Sequence, residues 1–254
     1  RGGRFVRRKK RSKVFAGSYC GFPGIFLVCL LLLMKIGFNL LLWTGHVTQE
    51  NFPLFKKLKA VGYDGVEIPI FDTSDPAHFK KIGDALKDHG LEATAVTVLP
   101  DEAHNAISPT AKNRKGAIEH LKRVIECGHN AGIQTLCGPY YQVLGNFTGK
   151  YPSEDELDRA AEVHRAIAPI SQAAGIKNAI EALNRFEAHL LNTMQQASSY
   201  VKRVNHPNFG TMYDTFHANI EEKDPIAAIE TVFRTGKLNH VHISENDRGT
   251  PGRG

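Results

Sequence analysis

Three stretches of this sequence place ionisable side chains where chemistry could use them. They are Ile180-Glu181-Ala182-Leu183-Asn184-Arg185-Phe186-Glu187, Met212-Tyr213-Asp214-Thr215-Phe216-His217 and His240-Val241-His242-Ile243-Ser244-Glu245. Each starts in a short apolar strand and turns polar where that strand would end. Two carboxylates and an imidazole, delivered by successive strands, offer oxygen and nitrogen donors. Such donors suit a hard or borderline divalent ion such as Mn2+, Mg2+ or Co2+, or an acid–base pair. Side chains alternate faces along a strand, so His240 and His242 share one face. Only the histidine nearer the strand's end reaches the mouth, which selects His242. Taken singly, each residue has a plainer reading. Glu181 could be solvated or salt-bridged, Asp214 a cap beside Thr215, and His217 a loop histidine. Their joint occurrence on three consecutive strands favours a site.

The elements that must position these groups alternate in type. Hydrophobic periodicity and breakers predict strands over 36–43, 63–70, 91–99, 134–137, 178–183, 209–213 and 240–244. Helices are expected over 50–61, 76–89, 110–131, 153–174, 193–204 and 225–234. Ser153 and Glu156 have capping-box spacing, and Pro225 opens the last helix. No hairpin signal lies between strands, so the strands should run parallel through helical crossovers. The fold class expected is α/β, a (β/α)8 TIM barrel. Such a barrel takes ~250 residues, whereas 34–254 has 221 and stops after a seventh strand. The expectation is therefore a barrel truncated at its C-terminus, its eighth β/α unit missing. A doubly wound open sheet is the structural alternative, but no GxGxxG follows the first strand, so a dinucleotide site has no support. In a barrel, chemistry sits at the C-terminal ends of the strands, where the three stretches lie.

Composition narrows the function. With 254 residues, 42% hydrophobic and 23% charged, the chain is an ordinary globular sequence. Cys20, Cys29, Cys127 and Cys137 have no CxxC spacing, which argues against a zinc ribbon or disulfide framework and for a reduced, cytoplasmic protein. The net charge of +6 is misleading: residues 1–33 carry eight basic and no acidic groups, leaving 24 basic and 26 acidic in 34–254. The body is near neutral and shows no basic groove, so no nucleic-acid partner is expected. Val14–Leu33 has twenty residues without charge, long enough for a membrane span, and follows a basic cluster. Residues 1–33 read either as a spurious translation or as a signal-anchor. The second alone would attach the protein to a membrane. Met34-Lys35-Ile36-Gly37 runs directly into the first strand, which favours the first.

Three strings carry a family resemblance. Glu181-Ala182-Leu183-Asn184-Arg185-Phe186-Glu187, Asp214-Thr215-Phe216-His217-Ala218-Asn219-Ile220-Glu221-Glu222 and His242-Ile243-Ser244-Glu245-Asn246-Asp247-Arg248-Gly249-Thr250-Pro251-Gly252 closely resemble the D-tagatose/D-psicose (D-allulose) 3-epimerases of the xylose isomerase-like barrel superfamily. The resemblance runs from Met34 onward and is loosest in the third string. It implies a divalent metal held by Glu181, Asp214, His242 and a final glutamate on an eighth strand, which this chain does not include. Glu181 would double as an acid/base, and Glu187, His217 and Arg248 would hold a small ketose near its carbonyl. The resemblance also implies a homo-oligomer. Asn39 stands where related enzymes often have Tyr, and Gly249 where a basic residue often follows Arg248.

The implied chemistry accounts for the residue types. Epimerising a ketose at carbon 3 removes a weakly acidic proton next to a carbonyl, so the enediolate needs a Lewis acid. Carboxylates on opposite faces then take and return the proton. Without the last glutamate, the chain as it stands is expected to bind metal weakly and turn over slowly. The alternatives are a hydroxypyruvate isomerase-like enzyme, a keto-glycoside isomerase or an endonuclease of the same barrel type, or a non-catalytic sugar-binding module. Trp43, Tyr140 and Tyr141 read equally as sugar-stacking or packing residues.

Overall fold

In the computed structural model, residues 34–249 and 251–252 are described. The basic and apolar leader read in 1–33 lies outside the described residues. Strands β1 (Gly37–Asn39), β2 (Gly65–Pro69), β3 (Glu92–Val96), β4 (Ile133–Gly138), β5 (Lys177–Glu181), β6 (Phe209–Asp214) and β7 (Leu238–His242) form one sheet in sequential order. Every neighbouring pair is parallel. A doubly wound sheet reverses its strand order at a switch point, and this sheet does not. Seven α-helices connect the strands: α1 (Phe52–Val61), α2 (Pro76–Asp88), α3 (Ala111–Ala131), α4 (Glu154–Ala173), α5 (Met194–Val204), α6 (Thr215–Glu221) and α7 (Pro225–Arg234). None among the described residues is long and apolar enough to cross a membrane.

Local chemistry explains where these elements start and stop. Asp75 and Asp224 cap α2 and α7 with their carboxylates, each followed by a proline in the first turn. Ser153 and Glu156 form the expected capping box at α4, worth about 1 kcal/mol. Thr193 and Gln196 form another at α5. The strand expected over 36–43 is shorter than its pattern suggested. Asn39 accepts the Leu41 N–H at 2.9 Å and folds Leu40–Leu42 into a 3-10 turn. Residues 215–221, to which the sequence reading assigns no element, are helix α6, because the Asp214 carboxylate caps the N–H groups of Phe216 and His217. Six intervening helices are thus corrected to seven.

The sheet has two unlike faces. Outward residues such as Val66, Ile68, Leu136, Ile180 and Tyr213 join one large cluster with the helices. Inward residues Val96, Cys137, Ala179 and Met212, one from each of β3 to β6, form a small separate cluster. The sheet curls around this interior. In a flat sheet β2 and β7 would lie about 24 Å apart at ordinary strand spacing, yet His242 Nε2 is 2.8 Å from Glu67 Oε1. Gly138 ends β4 at φ +122°, where an added Cβ would sit 2.3 Å from the Thr97 carbonyl. Tyr140 and Tyr141 are fully buried, their hydroxyls donating to Asn178 Oδ1 and the Leu191 carbonyl. They are packing residues. Trp43 is half exposed, its ring 4.4 Å from that of Phe38.

Candidate active site

Glu181, Asp214 and His242 each end a strand, and inter-strand register pairs Asp214 directly with His242. Alternation puts Glu181 on the same inward face as Ala179, and Asp214 on that of Met212. One donor atom from each of the three lies within 4.8 Å of the others. His242 Nδ1 is 3.4 Å from Asp214 Oδ2 and 3.9 Å from Glu181 Oε1. Asp214 divides its oxygens between two tasks. Oδ1 accepts the N–H groups of Phe216 at 2.7 Å and His217 at 3.3 Å, leaving Oδ2 for the site. The cap and the chemical group are one residue.

The residues expected to meet a sugar lie around this trio. His217, on α6, places Nε2 3.7 Å from Glu181 Oε1. Its Nδ1 accepts the Asn184 backbone N–H at 3.0 Å, so the proton of the neutral ring is on Nε2 and faces Glu181. Asn184 also donates its side-chain amide to Glu187 Oε1 at 3.0 Å. Arg248 reaches the same oxygen at 2.5 Å, with its guanidinium 4.2 Å from the centroid of the Phe216 ring. Arg185 grips Glu221 with two guanidinium nitrogens, at 3.0 and 2.8 Å, and with its backbone N–H at 2.7 Å. All six expected site residues therefore fall within one mouth, Glu187 and Arg248 at its more open edge.

Three residues beneath the trio escaped the sequence reading. Glu67 on β2 is buried, and among the described residues its partners include no Lys or Arg. Its Oε1 accepts from His242 Nε2 at 2.8 Å and Asn39 Nδ2 at 2.9 Å. Its Oε2 accepts from His240 at 2.9 Å, Thr94 at 3.0 Å and Cys137 at 3.2 Å. One signal was available: Glu67 is the single charge in Gly65-Val66-Glu67-Ile68-Pro69, facing opposite to its apolar neighbours. His240 was passed over as too deep, which is where it sits, while Cys137 has no signal at all.

Electrostatics separates the carboxylates. Burial pushes the Glu181 carboxyl up to about 8; the His242 charge opposes this and the Asp214, Glu67 and Glu187 carboxylates add to it. Burial also works on Asp214, but its bond to His242 and the charges of His217 and His242 hold it below the ordinary aspartate range. Glu67 is held well below the usual range because the two β7 imidazoles outweigh its burial. Burial disfavours the charged His242 ring, yet Glu67 and Cys137 keep its pKa well above the ordinary value. Burial lowers His217. Two carboxylates with opposed shifts in one cleft suit divided acid and base roles.

The trio also fits a divalent cation. Two carboxylates and one imidazole are an oxygen-rich mixed set, right for Mn2+, Mg2+ or Co2+. His242 gives its other nitrogen to a buried carboxylate, an arrangement usual for histidines at metal centres.

Comparison with known proteins agrees with the fold. Residues 55–254 match the model of the xylose isomerase-like TIM barrel family. The ketose 3-epimerase of Arthrobacter globiformis is 34% identical over 224 residues, covering 87% of this chain and 75% of that protein. The crystal structure of D-psicose 3-epimerase with D-tagatose from Clostridium cellulolyticum is similar at a TM-score of 0.77 and 28% identity, over 87% of this chain and 76% of that one. The D-allulose 3-epimerase from Methylomonas sp., in complex with D-allulose, gives a TM-score of 0.79 at 27% identity, over 87% and 75%.

Proposed function

Because the chain belongs to the xylose isomerase-like TIM barrel family, we propose that it is a metal-dependent isomerase that epimerises small ketoses at carbon 3. The observation that carries this reading is the convergence of Glu181, Asp214 and His242 at the ends of three consecutive parallel strands. Its relatives' activities support it. Glu181, Asp214 and His242 would hold the cation, Mn2+, Co2+ or Mg2+. When bound, it supplies Lewis-acid stabilisation of the negative charge that develops on the sugar oxygens.

The protein's own groups do the rest. Glu181, ionised where a cation offsets its burial and the neighbouring carboxylates, would take the proton from carbon 3. The C–H electron pair forms the carbon–carbon double bond of an enediolate as the carbonyl pair moves onto oxygen. A proton delivered to the opposite face by solvent water, which leaves as hydroxide and is neutralised by the proton Glu181 releases, completes epimerisation, while the Glu181 proton returned to the same face restores the substrate. The neutral His217 presents its Nε2–H toward Glu181, a position for a sugar oxygen near the carbonyl. Glu187 and Arg248, paired at the outer edge, hold the neighbouring hydroxyls. The buried free thiols of Cys127 and Cys137 fit a reducing, cytoplasmic setting.

The test follows carbon 3 directly. The 254-residue chain is incubated in D2O with Mn2+ and, separately, D-psicose, D-tagatose and D-fructose. NMR then reads deuterium at carbon 3 and the appearance of the epimer. Slow Mn2+-dependent exchange at carbon 3 of at least one ketose is expected, read over a long incubation because turnover without the final glutamate is expected to be slow. Absence of both exchange and epimer with all three would overturn the proposal.

A further inference from the structure

We infer that Glu67 is a positioning residue for His242, fixing the imidazole so that Nε2 carries the proton and Nδ1 faces Asp214 and Glu181. The metal's part in this rests on the proposed function; the ring's orientation and tautomer do not.

The argument starts from donors and acceptors. An ionised carboxylate only accepts. Asn39 has a fixed amide orientation because its Oδ1 takes the Leu41 N–H at 2.9 Å, so its Nδ2 donates to Glu67 Oε1. Thr94 donates to the other oxygen at 3.0 Å. These two contacts anchor the carboxylate from β1 and β3 without help from His242. The carboxylate then offers Oε1 to His242 Nε2 at 2.8 Å, which requires a proton there. The remaining nitrogen, Nδ1, lies 3.4 Å from Asp214 and 3.9 Å from Glu181. A hydrogen bond at one ring nitrogen sets which nitrogen is free to ligate.

A purely structural role does not account for the residue type. The neighbouring interior is filled by Val96, Cys137, Ala179 and Met212, so an apolar residue would continue that layer. A buried charge is costly unless paired, and apolar replacement of buried ion pairs is often neutral or stabilising. Here the interior spends a carboxylate on the two histidines of β7. Of these, only His242 also faces the acidic trio.

The test uses the full chain and three variants. Glu67→Met keeps the volume and removes the acceptor; Glu67→Gln keeps one acceptor; Thr94→Val removes an anchor on the other oxygen and leaves the His242 bond intact. Mn2+ binding is measured by calorimetry, and histidine protonation by 15N NMR on metal-free and Mg2+-loaded protein. Mn2+ affinity should fall about 10- to 100-fold in Glu67→Met, recover partly in Glu67→Gln and stay within about twofold in Thr94→Val. A structural role predicts lower melting temperatures with unchanged affinity of the folded protein. The wild-type chain should carry its single ring proton on His242 Nε2, in the Mg2+-loaded form and, without metal, at a pH high enough to leave the ring neutral, which tests the tautomer even where Glu67→Met does not fold. An unprotonated Nε2 in the wild type, or wild-type Mn2+ affinity in folded Glu67→Met, overturns the inference. A wild-type chain that binds no Mn2+ counts against the proposed function alone, and the Nε2 proton still decides the role of Glu67.

Discussion

His164 is fully buried and His242 is half-buried at the mouth of the same fold, yet they are driven in opposite directions. His164, on α4, has Nδ1 2.5 Å from the Tyr200 hydroxyl and Nε2 3.1 Å from the Tyr140 carbonyl. The rings of Tyr140, Tyr200 and Phe209 surround it at 5.0–5.6 Å. With no charged partner, burial pushes its pKa down to about 4 against the Tyr140 hydrogen bond. His242 faces Glu67, Asp214 and Glu181 and is driven up. Depth alone therefore decides little. The partner's charge determines whether such an imidazole is driven toward its neutral form and ties helices to the sheet, or has its pKa driven up in a place a metal can take over.

The largest effect expected from this contrast is on the rate. Glu181→Gln preserves shape and burial but removes the proton acceptor. Carbon 3 exchange should fall by about 10²- to 10⁴-fold, with the melting temperature near that of the wild type. Unchanged exchange would reduce the carboxylate cluster to the same status as the aromatic cage around His164.

The next effect is on stability, and its sign follows from His164. Its folded-state pKa of about 4 lies below the ordinary histidine value of 6.5. Protonation therefore favours the unfolded chain. The contribution is complete above about pH 6.5 and is lost as pH falls toward 4, amounting to roughly 3 kcal/mol. The difference in urea unfolding between the wild type and His164→Phe at pH 7.5, 5.5 and 4.5 should show the decline, since the raised Glu181 and His242 groups titrate alike in both. In His164→Phe the protein is weaker throughout, but this part of the slope should disappear. A difference that does not change with pH would assign the acid sensitivity elsewhere.

Much of this was legible because the signals were local. Periodicity, Gly132 after α3 and Pro225 at the head of α7 fixed the alternation of elements. Polar groups at strand ends exposed Glu181, Asp214 and His242. Helix α6 was not legible, because Asp214 serves as strand end, cap and site residue at once. Glu67 was not legible as a partner of His242, because their contact depends on curling of the sheet across five strand positions. Tyr140 and Tyr141 could be placed only once the fold had buried them, since an aromatic pair after a strand fits a sugar or a core equally well.

The smallest effect separates the two regions most sharply. Tyr200→Phe removes one oxygen from α5 and leaves its ring against Phe209, whose centroid lies 6.4 Å away. The lost hydrogen bond, together with an unpaired His164 Nδ1, should cost about 1 kcal/mol in urea unfolding. His164 remains buried, so the decline between pH 6.5 and 4 should persist. Mn2+ affinity and carbon 3 exchange should stay within about twofold of the wild type, because no residue of the aromatic cage touches the trio. A tenfold loss of exchange would mean that the outer layer sets the strand ends through β4 and β6. The cage would then be part of the active site's support rather than a separate strut.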